Sequence, residues 1–190
     1  MKRTIKLAQQ GFTLVELLIV VIILALLAAI VVPQFASSTD DAKLSSLDTT
    51  LSNMRAAIDL YYQQHGDYPG KETAVSTYAC VGTEGTGDAG VGNEGLTFLD
   101  QMTMYTAANG MACSTKDAIH KYGPYLKKRN LPANPITGIS TFAVVIDGDL
   151  NMLGDDVDLG WKYDNTTGKF IANDTTDPDG VGPLLSYDQH

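Results

Sequence analysis

An α+β fold is predicted for this chain: one long N-terminal α-helix, its second half laid across a small antiparallel β-sheet in a C-terminal head. Three observations carry the prediction. From Leu17 to Val32 no side chain is polar. Beyond Thr39 the apolar residues Leu44, Leu47, Leu51, Met54, Ile58 and Tyr61 recur alternately every three and four positions, one face of a helix. After Ser140 come short β-rich segments separated by turn formers. A near-neutral mean hydropathy of -0.02 and a formal charge of −9 hide this segregation, because apolar and acidic residues lie in different parts of the chain. Thirteen Lys and Arg against 22 Asp and Glu argue against nucleic acid as a main partner, which would need a basic field.

Residues 1–11 carry Lys2, Arg3 and Lys6 and no acid. The apolar run taken from Phe12 gives roughly 31 Å of helix, enough to cross a bilayer. Basic residues precede it and Asp40 and Asp41 follow it, so the positive-inside rule places the N-terminus in the cytoplasm and the rest outside. A secretory signal cleaved near Ala28, Ala29 or Ala36 to Ser38 and an uncleaved single-pass anchor both fit this composition. Neither explains Glu16. A charged, unpaired carboxylate at the start of an apolar span is costly, and the simplest partner is a free α-amino group made by cleavage just upstream.

Gly11, Phe12, Thr13, Leu14 and Glu16, then the apolar run and Pro33, resemble the class III signal of type IV pilins and type II secretion pseudopilins. The resemblance implies a type IV pilin-like fold. It implies cleavage by a prepilin peptidase between Gly11 and Phe12, and N-methylation of Phe12. Glu16 would then be the fifth mature residue, able to meet the charged amine of Phe12 on a neighbouring subunit, so that each buried charge offsets the other's desolvation. At Pro33, loss of an amide donor and a clash with the preceding turn predict a kink. The implied boundaries are a leader at 1–11, a transmembrane and assembly helix at 12–36, its amphipathic half at 37–65 and a head at 66–190.

In the amphipathic half, Lys43, Asp48, Asn53, Arg55 and Asp59 occupy the face opposite the Leu and Met stripe. Gly66 suits a left-handed cap and Pro69 blocks resumption, so the helix should end near Gln64. The phrase Leu60-Tyr61-Tyr62-Gln63-Gln64-His65-Gly66-Asp67-Tyr68-Pro69 resembles the helix end of major pseudopilins. Residues 81–95, rich in glycine, read as an irregular exposed loop; they lack the GK[ST] of a phosphate loop. Short helices are predicted at Leu96 to Ala107 and Lys116 to Tyr125. Strands are predicted at Ser140 to Ile146, Gly160 to Tyr163 and Lys169 to Ala172, the last two joined through Asp164-Asn165-Thr166-Thr167-Gly168.

Cys80 and Cys113 are too far apart for a Cys-x-x-Cys motif and too few for a structural zinc site. In an oxidising compartment they would form one disulfide stapling the middle region; in the cytosol they would be buried free thiols. His65, His120 and His190 are scattered without a paired motif, and no Gly-x-Ser-x-Gly elbow occurs, so no enzyme is expected. Lys127-Lys128-Arg129 reads as a solvated loop. Asp147, Asp149, Asn151, Asp155, Asp156 and Asp158 form an incomplete calcium-loop pattern, with Met152 where an EF-hand needs glycine. Asp174, Asp177 and Asp179 form a second acidic turn, and structural calcium at either stays open; no other cofactor is expected.

The family resemblance implies a structural filament subunit, nearest to the major pseudopilin of type II secretion. The alternatives are a major pilin of a type IV pilus and, more remotely, a binding module on a single-pass anchor. It implies as partners further copies of the chain in a helical filament, the prepilin peptidase, an inner-membrane assembly platform and minor pilins or pseudopilins. Removing Lys2, Arg3 and Lys6 with the leader would leave 10 basic residues against 22 acidic ones, a mature charge of −12.

Overall fold

A computed structural model describes residues 12–72, 74–75, 80–86, 94–146, 148, 152–154 and 158–173, without the side chains of 32–38 and 94. The chain divides into two compact units, Met1–Ala42 and Lys43–His190. Helix α1 spans Leu14–His65 and contributes to both. The elements that follow are α2 (Glu94–Thr103), β1 (Tyr105–Thr106), β2 (Ala112–Cys113), β3 (Phe142–Val145), β4 (Trp161–Asp164) and β5 (Phe170–Ala172). Pro33 lies within the bounds of α1, but the predicted kink there falls on side chains outside the described residues.

In the second unit the predicted stripe is the core. Leu47, Leu51, Met54, Ile58 and Tyr61 are buried with Phe98, Met102, Trp161, Tyr163 and Phe170 in one apolar cluster, and Leu44 packs against it partly buried. The helix ends as expected, one residue later than Gln64. Gly66 adopts φ +79°, a left-handed conformation that costs a glycine little, and its amide donates to the Tyr62 carbonyl at 2.8 Å. Arg55 departs from the predicted solvent face. Its aliphatic stem is half-buried and its Nε donates to the Phe170 carbonyl of β5 at 3.0 Å, fastening the helix to the sheet.

The sheet is mixed, which corrects the expectation of a purely antiparallel one. Its order is β3-β4-β5, with β3 and β4 parallel and β4 and β5 antiparallel. A parallel pair needs a long crossover, and residues 146–160 supply it; nothing in the strand residues themselves announces strand direction. The β4-β5 hairpin is as predicted. Asp164 holds its turn, accepting from the Thr166 amide and the Thr167 hydroxyl, both at 2.8 Å. At Gly168 (φ +75°) a Cβ would come within 2.1 Å of the Tyr68 ring, so only glycine fits between turn and ring.

Two predicted helices change. The first stops at Thr103, whose hydroxyl donates to the Leu99 carbonyl, and Tyr105–Thr106 pairs instead with Ala112–Cys113 in an antiparallel ladder. The second, over Lys116 to Tyr125, does not form. Asp117 Oδ1 accepts the backbone amides of Ile119 at 2.7 Å and His120 at 2.6 Å, an Asx-type turn that competes with helix, and Tyr122 is bridged to Thr106. The glycine-rich segment is likewise less irregular than expected in its described part. Glu84 bridges Cys113, Gly85 N donates to Ala112 O and Ser114 N donates to Thr83 O.

Buried polar groups tie the turn after α1 to the rest of the head. Gln101 accepts from the Gly70 amide at 2.7 Å and donates to the carbonyls of Glu72 and Gly110. The Tyr163 hydroxyl donates to Pro69 O and Asn165 Nδ2 donates to Gly70 O. Asn134 Nδ2 donates to Gly160 O, and Trp161 Nε1 donates to Pro132 O. Arg129, part of the predicted solvated basic run, forms an ion pair with fully buried Asp100.

His65 closes the last turn of α1. Its ring stacks on Tyr61 at 4.1 Å between centroids, and Nδ1 lies 3.2 Å from the Ala108 carbonyl, which can only accept. That contact assigns the proton to Nδ1 and leaves Nε2 to accept from the Thr106 hydroxyl at 3.0 Å, while the Tyr125 hydroxyl donates to Gln64. Burial lowers the imidazole pKa from its ordinary 6.5.

Two outcomes follow for full-length protein in detergent. Ile58→Ala should lower head stability in denaturant titration by about 2–5 kcal/mol, whereas Leu60→Ala, on the exposed side of the same turn, should change it by under about 0.5 kcal/mol. The depressed His65 pKa means that the unfolded chain binds the proton more readily. Its stabilising contribution is therefore complete above 6.5 and is lost as pH falls through the lower folded value. The melting temperature should fall over that window, and His65→Gln should flatten the fall.

Candidate functional site

The features that could carry function are the apolar first unit and the cross-linked loop of the head. In the first unit, Phe12 and the apolar side chains from Leu14 to Val31 are exposed. Leu14–Val31 is a helical stretch of 18 residues long and apolar enough to cross a membrane, about 27 Å at 1.5 Å per residue. Apolar exposure on this scale marks a surface that lipid or another protein covers.

Glu16 stands in the first turn of that stretch, and the structure gives it a partner that the sequence reading missed. Its Oε2 accepts from the Thr13 amide at 2.9 Å and the Thr13 hydroxyl at 2.7 Å, while Thr13 Oγ1 accepts the Glu16 amide at 3.2 Å. This reciprocal arrangement is a capping box, which satisfies amides left open at the helix start. Its signal was present in the sequence as Thr13-x-x-Glu16. The contacts employ one carboxylate oxygen; Oε1 makes no hydrogen bond among the described residues. Phe12 lies beside the box, 75% exposed, and Gly11 lies outside the described residues.

In the head, Cys80 and Cys113 are joined as a disulfide with a Cα separation of 5.7 Å, and no described cysteine is free. This realises the oxidised alternative. Next to it Asp117 Oδ2 meets Nδ1 of fully buried His120 at 2.9 Å. The pair was not singled out in the sequence, although Asp117-x-x-His120 carries the spacing. A ligand-type atom from each of Cys113, Asp117 and His120 lies within 4.8 Å of the other two. With its sulfur bonded to Cys80, Cys113 offers no thiolate. Of the calcium candidates Asp158 is exposed, while Asp147, Asp149, Asn151, Asp155, Asp156, Asp174, Asp177 and Asp179 lie outside the described residues.

The other histidines do not converge. His65 is engaged in packing α1, and His190 lies outside the described residues. A small cavity beside His65 is lined by Tyr61, Asp67, Glu72, Ala108, Asn109 and Gly110. It brings the Asp67 and Glu72 carboxylates near the His65 imidazole.

Comparison with known proteins bears on the first unit. The family described as "Prokaryotic N-terminal methylation motif" matches residues 6–32, which contain Gly11, Phe12 and Glu16. The chain is 38% identical over 67 residues to a "Fimbrial protein" of Neisseria meningitidis serogroup B, covering 35% of this chain and 39% of that one. It is 32% identical over 77 residues to a "Fimbrial protein" of serogroup A of the same species, covering 40% and 45%. It is 42% identical over 67 residues to the "Type II secretion system core protein G" of Pseudomonas aeruginosa, covering 35% and 47%. The chain thus spans less than half the length of the curated relatives it matches, and no solved structure matches it. The chain is thus similar, over the methylation motif and a stretch of 67 to 77 residues, to both fimbrial proteins and a secretion-system core protein.

Proposed function

We propose that this chain is a structural subunit of a type IV pilus-like filament. It is made as a prepilin, cut between Gly11 and Phe12, and methylated on the new amine of Phe12. The helix from Phe12 holds it in the inner membrane, with the N-terminus cytoplasmic and the head periplasmic, until an assembly platform draws it into the polymer with minor subunits. The observation that carries this reading is Glu16, a carboxylate at the head of an exposed apolar stretch and inside the matched methylation motif. Within the polymer its role is to pair with the Phe12 amine of a neighbouring copy. The capping box leaves Oε1 for that contact and holds the carboxylate at the helix start.

Between the two filament types, we favour the major pseudopilin of type II secretion. The phrase from Leu60 to Pro69 supports it, with its buried Tyr61, its Gly66 cap and Pro69 joined to Tyr163. Similarity to fimbrial proteins supports the alternative, the major pilin of a surface pilus.

Intact-mass measurement of the membrane-bound protein should show loss of residues 1–11 and gain of one methyl group. An N-terminus beyond Ala28 would instead mean ordinary secretion. Glu16→Ala subunits should be processed and inserted yet incorporate into filaments at least about tenfold less, as expected when one partner of a buried charge pair is removed at a cost of several kcal/mol. Normal incorporation would end the pairing role.

A further inference from the structure

Beside the disulfide lie two further side chains of metal-ligating type, Asp117 and His120, that a filament subunit does not call for. Cys113 and His120 are fully buried and Asp117 is partly exposed, so the cluster opens towards solvent on its carboxylate side. Asp117 is fixed before any ion arrives, because Oδ1 accepts two backbone amides while Oδ2 meets His120 Nδ1. The 2.9 Å between Oδ2 and Nδ1, and the 4.8 Å that bounds all three ligand atoms, need only small adjustment for one ion. Bond lengths of 2.0–2.3 Å put neighbouring ligands of a tetrahedral zinc about 3.3–3.8 Å apart.

We propose that, when the disulfide is reduced, Cys80, Cys113, Asp117 and His120 bind a thiophilic divalent cation of the zinc class. The donor set is two thiolates, one imidazole and one carboxylate, from Cys80 on one segment and Cys113-x3-Asp117-x2-His120 on the other. Reduction by a dithiol delivers two electrons and two protons to the sulfur pair, and the dithiol leaves as its own disulfide. The cation then displaces both thiol protons and enters between Oδ2 and Nδ1, with the imidazole proton moving to Nε2. The disulfide and the ion are mutually exclusive closures of one loop, so the segment from Cys80 to Cys113 keeps a cross-link in either redox state. The inference does not depend on the filament role.

The test uses the full chain in detergent, reduced anaerobically with a phosphine and titrated with cobalt(II) as a visible stand-in for zinc. The expected result is one equivalent of cobalt showing thiolate-to-metal charge transfer and tetrahedral ligand-field bands, displaced by zinc, with no such signal from the oxidised protein. His120→Gln and Asp117→Asn should each weaken binding about tenfold or more. Both variants should still form the Cys80–Cys113 disulfide on oxidation, which confirms their fold. Absence of the thiolate band in the reduced wild type, the same band in the oxidised protein, or equal affinity in both variants would overturn the proposal.

Discussion

Exposed apolar helix surface is the constraint on which the rest of this molecule depends. From Leu17 to Val31 every residue is apolar, and the large side chains among them are exposed. Withdrawing one such side chain from water is worth about 1.5–3 kcal/mol, so the whole run is worth some tens of kcal/mol. A domain's entire net stability is about 5–15 kcal/mol. Covering this surface outweighs any single contact in the head, and lipid or the same surface of other copies can supply the cover. Under the proposed function, a subunit that exchanged one for the other would leave the membrane without exposing the run to water.

Glu16 is intelligible only within that constraint. A carboxylate beside so much apolar surface needs hydrogen bonds in every environment it meets. Thr13 supplies them within the chain through the capping box, and in the proposed polymer the amine that cleavage before Phe12 would create would supply an opposite charge. The local contacts hold the carboxylate at the helix start, and the intermolecular one would set the register between copies. In the head the same economy of polar groups recurs: Gln101, Asn134 and Asp164 are fully buried, and each is hydrogen-bonded to the turn it organises.

Much of this was legible in the sequence, because it rests on short-range periodicity. The stripe from Leu47 to Tyr61, the Gly66 cap and the Asp164 to Gly168 turn depend on neighbours within a few positions. What the sequence concealed depends on distant partners. Arg55 sits on the expected polar face by spacing, yet its Nε reaches a carbonyl 115 residues away. The parallel direction in which β3 pairs with β4 is not written in the strand residues themselves. The segment from Lys116 to Tyr125 is diverted from helix by the Asp117 turn and the Tyr122 bridge, and its Gly123-Pro124 pair opposes helix as well. The apolar run and Glu16 were evident at once, whereas the Asp117–His120 pair beside the disulfide emerges only when the chain is folded.

The most direct measurement is an intermolecular cross-linking scan, with single cysteines placed along Leu17 to Val31 while Cys80 and Cys113 remain joined to each other. In assembled filaments the expected result is a ladder of cross-linked copies whose intensity rises and falls with helical period, absent from unassembled subunits in the membrane. Filaments that cross-link through head positions but at no site from Leu17 to Val31 would contradict the claim that copies of this helix cover one another.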